Sequence, residues 1–284
     1  MRLPIYAVWS VDWQDDYLRQ QAGLFARISQ QIIELTAQEL NGKVTWFAEI
    51  DQRCDITKFP EFPSLVKEII ASGGEIGIHI HHRSVNPKVR REDFIFAVSR
   101  LQDLLGIEVK SYSAGMANFL PSDIPMLLDL GIVCDRSAFP FYKTGEPSTD
   151  PAVCDWVEVD EKAGYVDPKS PKRISSDGGL FRIPLGADPR NGDGRHQLHI
   201  REAICLETLR EVFDYCHKKD PFVSNYFHPY DLSECGNRLT KRMVQQFSEF
   251  ARYQKRCGAV FLTHLEAKTI FDKQQDPHRR IGRC

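Results

Sequence analysis

Short apolar runs alternate with segments of helical period along most of the chain. Ile5 to Val11 reads as a buried strand. Phe25, Ile28, Ile32 and Leu35 step by three, four and three residues, one face of a helix, and Asn41-Gly42 stops it. Lys43 to Phe47 is a second strand, Phe62 to Ala71 a helix ended by Gly73-Gly74, and Glu75 to His81 a third strand. The alternation continues with a helix over Phe94 to Leu105, a strand over Lys110 to Ala114, a helix opened by Pro121-Ser122 and closed by Gly131, and a strand over Ile132 to Asp135. From Ala138 to Arg195 the rhythm breaks. Seven prolines fall there, with short β segments such as Trp156 to Val159 and Leu180 to Ile183 between turns. The alternation then resumes. Leu206, Leu209, Phe213 and Cys216 mark a helix, Phe222 to Phe227 a strand, Met243, Val244, Phe247 and Phe250 a helix, and Ala259 to Thr263 a strand.

Strands alternating with helices imply a parallel sheet. Polar residues gather at the ends of several of these strands, which is where a (β/α) barrel builds its sites. The expected fold is therefore α/β, an irregular (β/α) barrel of about seven parallel strands, with residues 1–284 as one domain and a β-rich insertion at about 138–195. No Gly-rich dinucleotide fingerprint or phosphate-binding loop follows any strand.

Composition narrows the class. The 284 residues are 42% hydrophobic and 27% charged, which fits a globular protein and excludes a largely disordered chain. Thirty-seven basic against 39 acidic side chains leave a net charge of −2, without the basic surplus of a dedicated nucleic-acid binder. No apolar run approaches bilayer length, so no transmembrane segment is expected. The start, Met1-Arg2-Leu3-Pro4, lacks the pattern of a secretory signal, so the expected location is cytoplasmic. The eight cysteines form no C-x-x-C pair, which argues against a zinc ribbon or redox motif, and those in apolar contexts such as Cys134 read as core.

Four strand ends carry candidate chemistry. In Ser10-Val11-Asp12-Trp13-Gln14-Asp15-Asp16, Asp12 ends a buried strand and needs a partner there, while Asp15 and Asp16 fit either a site or a solvated turn. In Ile78-His79-Ile80-His81-His82-Arg83, strand alternation puts His79 and His81 on one face; His82 points the other way or enters the loop, still within reach of a metal. Paired imidazoles plus an Asp are what a divalent ion, zinc above all, selects. Ser111 to Asn118 is a strand ending in small residues, where a substrate can approach the backbone or where an ordinary turn runs. His228 ends an apolar strand broken by Pro229 and reads equally as structural or catalytic.

In order and spacing, over about residues 5–265, these sites resemble the NodB-homology polysaccharide deacetylases, carbohydrate esterase family four. Ser10-Val11-Asp12 is similar to the family's first motif, Glu75 to His79 to the lead into the second, Tyr112-Ser113-Ala114-Gly115 with Leu130 to Asp135 to the third, and Phe227-His228-Pro229 to the last. The resemblance implies a hydrolase that removes an N-acyl group from an amino sugar of a polysaccharide or its precursor. Asp12 would be the catalytic base and His228 the catalytic acid. One divalent ion, zinc, would be held by His79, by His81 or His82, and by Asp15 or Asp16. There are departures. Trp13 replaces the family's adjacent second Asp, Arg83 stands where the second histidine is usual, and Ser113 replaces an Arg that orients the base. Divergent members associated with bacterial surface-polysaccharide (lipopolysaccharide) synthesis are the nearest in kind. The rivals are an inactive carbohydrate-binding homologue, supported by Ser113, and a different metal-dependent hydrolase on a similar barrel. Trp13, Tyr112, Tyr226 and Tyr230 are candidate aromatic walls for a sugar, with core packing expected for at least two.

Overall fold

The structure, a computed structural model, describes residues 4–14, 23–51, 54–143, 155–176, 178–234 and 238–275. In chain order the elements are β1 (Ile5–Trp13), α1 (Leu24–Leu40), β2 (Thr45–Glu49), α2 (Phe62–Ala71), β3 (Glu75–Ile80), α3 (Pro87–Leu105), β4 (Ser111–Ala114), α4 (Asp123–Asp129), β5 (Cys134–Asp135), β6 (Gly164–Asp167), β7 (Ser170–Ile174), β8 (Phe181–Arg182), α5 (Leu206–Lys219), β9 (Phe222–Phe227), β10 (Ser233–Glu234), β11 (Arg238–Leu239), α6 (Lys241–Arg256), β12 (Ala259–Leu262) and α7 (His264–Gln275). The main sheet runs β12-β1-β2-β3-β4-β5-β8-β6-β7, with β9 also paired to β1. All its pairings are parallel except those of β6 with β7 and β8. The sheet curls, and bridges from Leu185 to Ser224 and from His199 to Tyr226 tie its far side to β9.

β1 is buried on both faces and pairs with three strands, β12, β2 and β9. Val8, Trp9, Val11 and Trp13 are fully buried, the pattern of a parallel strand covered by helices. The apolar stripe of α1, including Phe25, Ile28 and Ile32, packs in one cluster with Trp9, Val11 and Trp13. Asn41 ends that helix in the left-handed region at φ 55°. At Gly42, φ 72°, an added Cβ would stand 1.9 Å from the Ser72 carbonyl oxygen, so only glycine lets this turn pass the end of α2.

The differences from the expectation include three elements and the short hairpin of β10 and β11. Helix α3 starts at Pro87, seven residues before Phe94, because the Asn86 side chain caps Lys88 N–H at 2.9 Å and proline suits a first turn. Its polar first turn hides this start, although Arg90 there is fully buried against Asp123. Trp156 to Val159 is a turn rather than a strand. The Trp156 indole N–H donates to the Ala117 carbonyl at 3.0 Å and the Arg182 guanidinium lies 5.0 Å from its ring, so tertiary contacts hold it. Helix α7 follows the last expected strand without a sequence signal of its own.

Parallel pairing brings several carboxyl-terminal strand ends to one rim. Asp12 lies beside Phe47, Glu49 beside His79, and His79 beside Ser113. Val11 lies beside Phe227, so His228 follows next to Asp12.

Candidate active site

His79 is almost fully buried at the end of β3. Its Nδ1 lies 3.0 Å from the Ser113 carbonyl, which can only accept, so Nδ1 carries the proton and Nε2 presents a lone pair. That Nε2 stands 3.0 Å from His81 Nε2. Burial drives His79 down to about 3, with His81 and Arg136 adding to the effect against the pull of Asp12. The ring is therefore neutral, the form a metal needs. His81 is fixed through its backbone N–H, which donates to Asp51 Oδ2 at 2.9 Å. Its ring lies flat on Gly115, where an added Cβ would come within 2.4 Å of it. The small residue in the β4 motif makes room for a histidine.

Two donor atoms about 2.0–2.1 Å from one zinc ion at the tetrahedral angle stand about 3.3 Å apart. His79 and His81 at 3.0 Å, with Gln14 Oε1 at 3.3 Å from His81 Nε2, match that span. The donor set fits a divalent ion.

Asp12, 3% exposed, faces a second group of residues. The Arg136 guanidinium donates through Nη2 to Asp12 Oδ1 and, at 2.8 Å, to Ser113 Oγ. Arg136 is fully buried beneath the Phe47, Phe139 and Tyr226 rings, 5.4, 5.8 and 4.7 Å from their centroids. Burial alone would raise the Asp12 carboxyl, but Arg136, with His79 and His228 beside it, outweighs burial and holds it at about 2. His228 Nε2 lies 3.8 Å from Asp12 Oδ2. Behind it, Asp231 Oδ2 accepts from His228 Nδ1 at 2.7 Å, from His228 N–H at 2.8 Å and from His199 Nε2 at 2.7 Å. The remaining His199 nitrogen accepts from the Tyr226 hydroxyl at 2.9 Å. Burial opposes a charge on His228, yet Asp231 and Asp12 prevail and raise it above the ordinary imidazole value.

His199, His228 and Asp231 also bring ligand atoms within 4.8 Å of one another, a spacing open to a metal ion. Occupation there would displace two ring protons from bonds of 2.7 Å, so the cluster works best as the hydrogen-bonded support of His228.

The cleft above these residues has a volume of about 340 Å³ and takes in Asp12, Gln14, His79, His81, Tyr226 and His228. A larger hollow of about 1020 Å³ lies around Lys162 and Phe271, and no metal-competent His/Asp/Glu group among the described residues lines it. Chemistry therefore favours the smaller cleft. Of the candidates from the sequence, Asp12, His79, His81 and His228 come together. His82 does not, which corrects the expectation that it could reach the metal. It is 6% exposed and turned away from the cleft, with Nδ1 3.1 Å from Asp93 Oδ2 and its ring against Phe94. Asp15 and Asp16 lie outside the described residues. Trp13 and Tyr112 are core, whereas Tyr226 and Tyr230 line the cleft. Within the 138–195 segment, Phe139, Tyr142, Asp193 and Gly194 also line it. Sequence reasoning missed Arg136, His199 and Asp231. The available signals were an arginine directly after a buried strand end and an aspartate three residues past His228.

No protein-family model matches the chain, and no curated protein matches it. Solved structures share its fold. One described as that of a polysaccharide deacetylase from Mycobacterium smegmatis is 12% identical, with a TM-score of 0.61 over 97% of this chain and 93% of that one. A 4-alpha-glucanotransferase from Thermococcus litoralis is 10% identical, with a TM-score of 0.55 over 93% of this chain and 40% of that one. A mutant of a Bacillus anthracis CE4-family pseudoenzyme, with restored enzymatic activity, is 11% identical, with a TM-score of 0.50 over 93% and 67%. A peptidoglycan N-acetylglucosamine deacetylase and a xylanase's CE4 domain share the fold as well. At these identities the likeness establishes a deacetylase-like α/β fold with a curled, mostly parallel sheet, a fold that also carries other chemistry.

Proposed function

We propose that the protein is a metal-dependent hydrolase that removes an N-acyl group, an acetyl, from an amino sugar of a polysaccharide or its precursor. The observation that carries this reading is the placement of an ionised, arginine-held Asp12 between a convergent histidine pair and His228. A divalent ion held by His79, His81 and a carboxylate would lower the pKa of a water and polarise the acyl carbonyl. Asp12 accepts the water's proton. Its carboxyl is a weak base, and this suits a water already made acidic. His228 gives a proton from Nε2 to the departing amine, which is too basic to leave as an anion, and Asp231 keeps the ring oriented through Nδ1–H. Ala114 N–H is already engaged by Ser137 Oγ at 2.8 Å. An oxyanion donor from this turn therefore comes from Gly115 to Ala117, where Met116 and Ala117 adopt φ 53° and 55°. Tyr226, Tyr230, Tyr142 and Met116 offer apolar faces for sugar rings, with Gln14, Gln197 and Arg201 as polar partners.

Ser113 was the feature favouring an inactive homologue. Arg136, arriving from the neighbouring strand end, supplies the guanidinium that Ser113 lacks, and this weighs for an active site. The test is acetate release and mass loss from N-acetylated amino-sugar oligomers and their precursors incubated with zinc-loaded protein. Tight sugar binding with no turnover on any N-acyl or O-acyl substrate would favour the inactive reading.

A further inference from the structure

We propose that Glu49 is the carboxylate ligand that completes the metal site of His79 and His81. The inference rests on the reading that these two histidines hold a divalent ion.

Position comes first. Glu49 pairs with His79 across β2 and β3. Along β2, Trp46 faces the helical layer and packs 5.3 Å from Trp13, whereas Phe47 faces inward beneath Arg136. Side chains alternate along a strand, so Glu49 shares the inward face of Phe47 and ends at the rim beside the histidines. It has no exposed surface.

Distance comes next. Glu49 Oε1 lies 3.9 Å from His81 Nε2, the same atom that stands 3.0 Å from His79 Nε2 and 3.3 Å from Gln14 Oε1. Three oxygen and nitrogen donors therefore lie around one imidazole nitrogen, although His79, His81 and Glu49 do not bring their ligand atoms all within 4.8 Å of one another. Glu49 Oε1 lies more than 4.8 Å from His79 Nε2, so a turn of the side chain by about 1.5 Å or more is needed to bring it to the tetrahedral separation of about 3.3 Å from both histidines.

Charge is the third consideration. Two neutral imidazoles and an amide oxygen leave a doubly charged ion uncompensated in a buried site, which is costly without an anion. Asp12 is committed to Arg136. Trp13, at the position where the family resemblance calls for a ligand, is buried between the Phe25 and Phe62 rings and turned from the cleft. Among the described residues, Glu49 places a carboxylate oxygen within 4 Å of a ring nitrogen of the pair.

The experiment measures zinc affinity by competition with a chelating indicator, and the visible absorption of the cobalt-loaded protein. The panel is wild type, Glu49→Gln, His79→Ala, His81→Ala, Asp15→Asn and Asp16→Asn. Residues that only orient a metal ligand change affinity about 10–100-fold. Glu49→Gln is expected to exceed 100-fold, with an altered cobalt spectrum and an unchanged circular dichroism spectrum of the metal-free protein. If Glu49→Gln does not fold, Glu49→Asp keeps the charge, and its shorter reach is expected to cost at least 10-fold. Wild-type affinity and spectrum in the folded Glu49 variant would overturn the inference while the histidine variants lose metal. Wild-type affinity in His79→Ala and His81→Ala as well would overturn the metal reading beneath it.

Discussion

Replacing Arg136 by methionine removes one partner of a buried ion pair and tests the electrostatic core of the site. Arg136 has no exposed surface, and Asp12 is 3% exposed. Removing the cation from such a pair strands the anion and typically costs about 3–5 kcal/mol. The Asp12 carboxyl moves from 3.8 to about 2 in the native protein. That lowering corresponds to stability on the order of 2 kcal/mol, present above the unfolded value and lost as pH falls through the native one. In Arg136→Met the sign reverses. Burial is then opposed only by the nearby histidines, the native carboxyl rises, and protonation stabilises the variant relative to wild type. The assay is urea unfolding of both proteins from pH 7 to pH 3. At pH 7 the variant should be less stable by about 3–5 kcal/mol. The gap should narrow by more than about 1 kcal/mol by pH 3, the part of the Asp12 linkage that falls in that window. The double variant Asp12→Leu/Arg136→Met should recover at least half the loss, since a buried pair replaced by apolar groups is often neutral. A gap below about 1 kcal/mol at pH 7, or one unchanged with pH, would show that the pair does not govern the site as described.

Other outcomes test the remaining parts. Asp12→Asn is nearly isosteric and should keep bound zinc while losing about 10²–10⁴-fold in turnover; near-normal amide hydrolysis would remove the base role. His228→Ala should lose more on an amide than on an activated ester, whose leaving group needs no proton, and equal losses would remove the acid role. Asp231→Asn should lower the alkaline limit of the pH–rate profile, because the carboxylate that raises His228 is gone; an unmoved alkaline limb would contradict this support of His228 by Asp231. Gly115→Ala places a methyl 2.4 Å from the His81 ring and should weaken zinc binding while the fold persists; wild-type affinity would show that the ring has room to move.

The layered alternation, the position of most strands and the strand-end character of Asp12, His79, His81 and His228 are legible along the chain. Those features are local. An apolar run, a helical period and a polar residue at the last position of a strand are written in consecutive residues, and α2 and β9 begin and end where the pattern places them. Alternation alone put His79 and His81 on one face, and it also turned His82 into the core. Which distant groups meet them follows from how the strands are arranged in the folded protein. Arg136 reaches Asp12 across 124 positions, and the Trp156 ring finds Ala117 across 39. The length of β1 and the neighbours it acquires set these meetings, together with the register of β2 on β3 and β4 on β5. An arginine lost at Ser113 and regained at Arg136 is two unrelated facts along the chain. It becomes one guanidinium in one place because parallel strands lie side by side, and that adjacency is a property of the sheet.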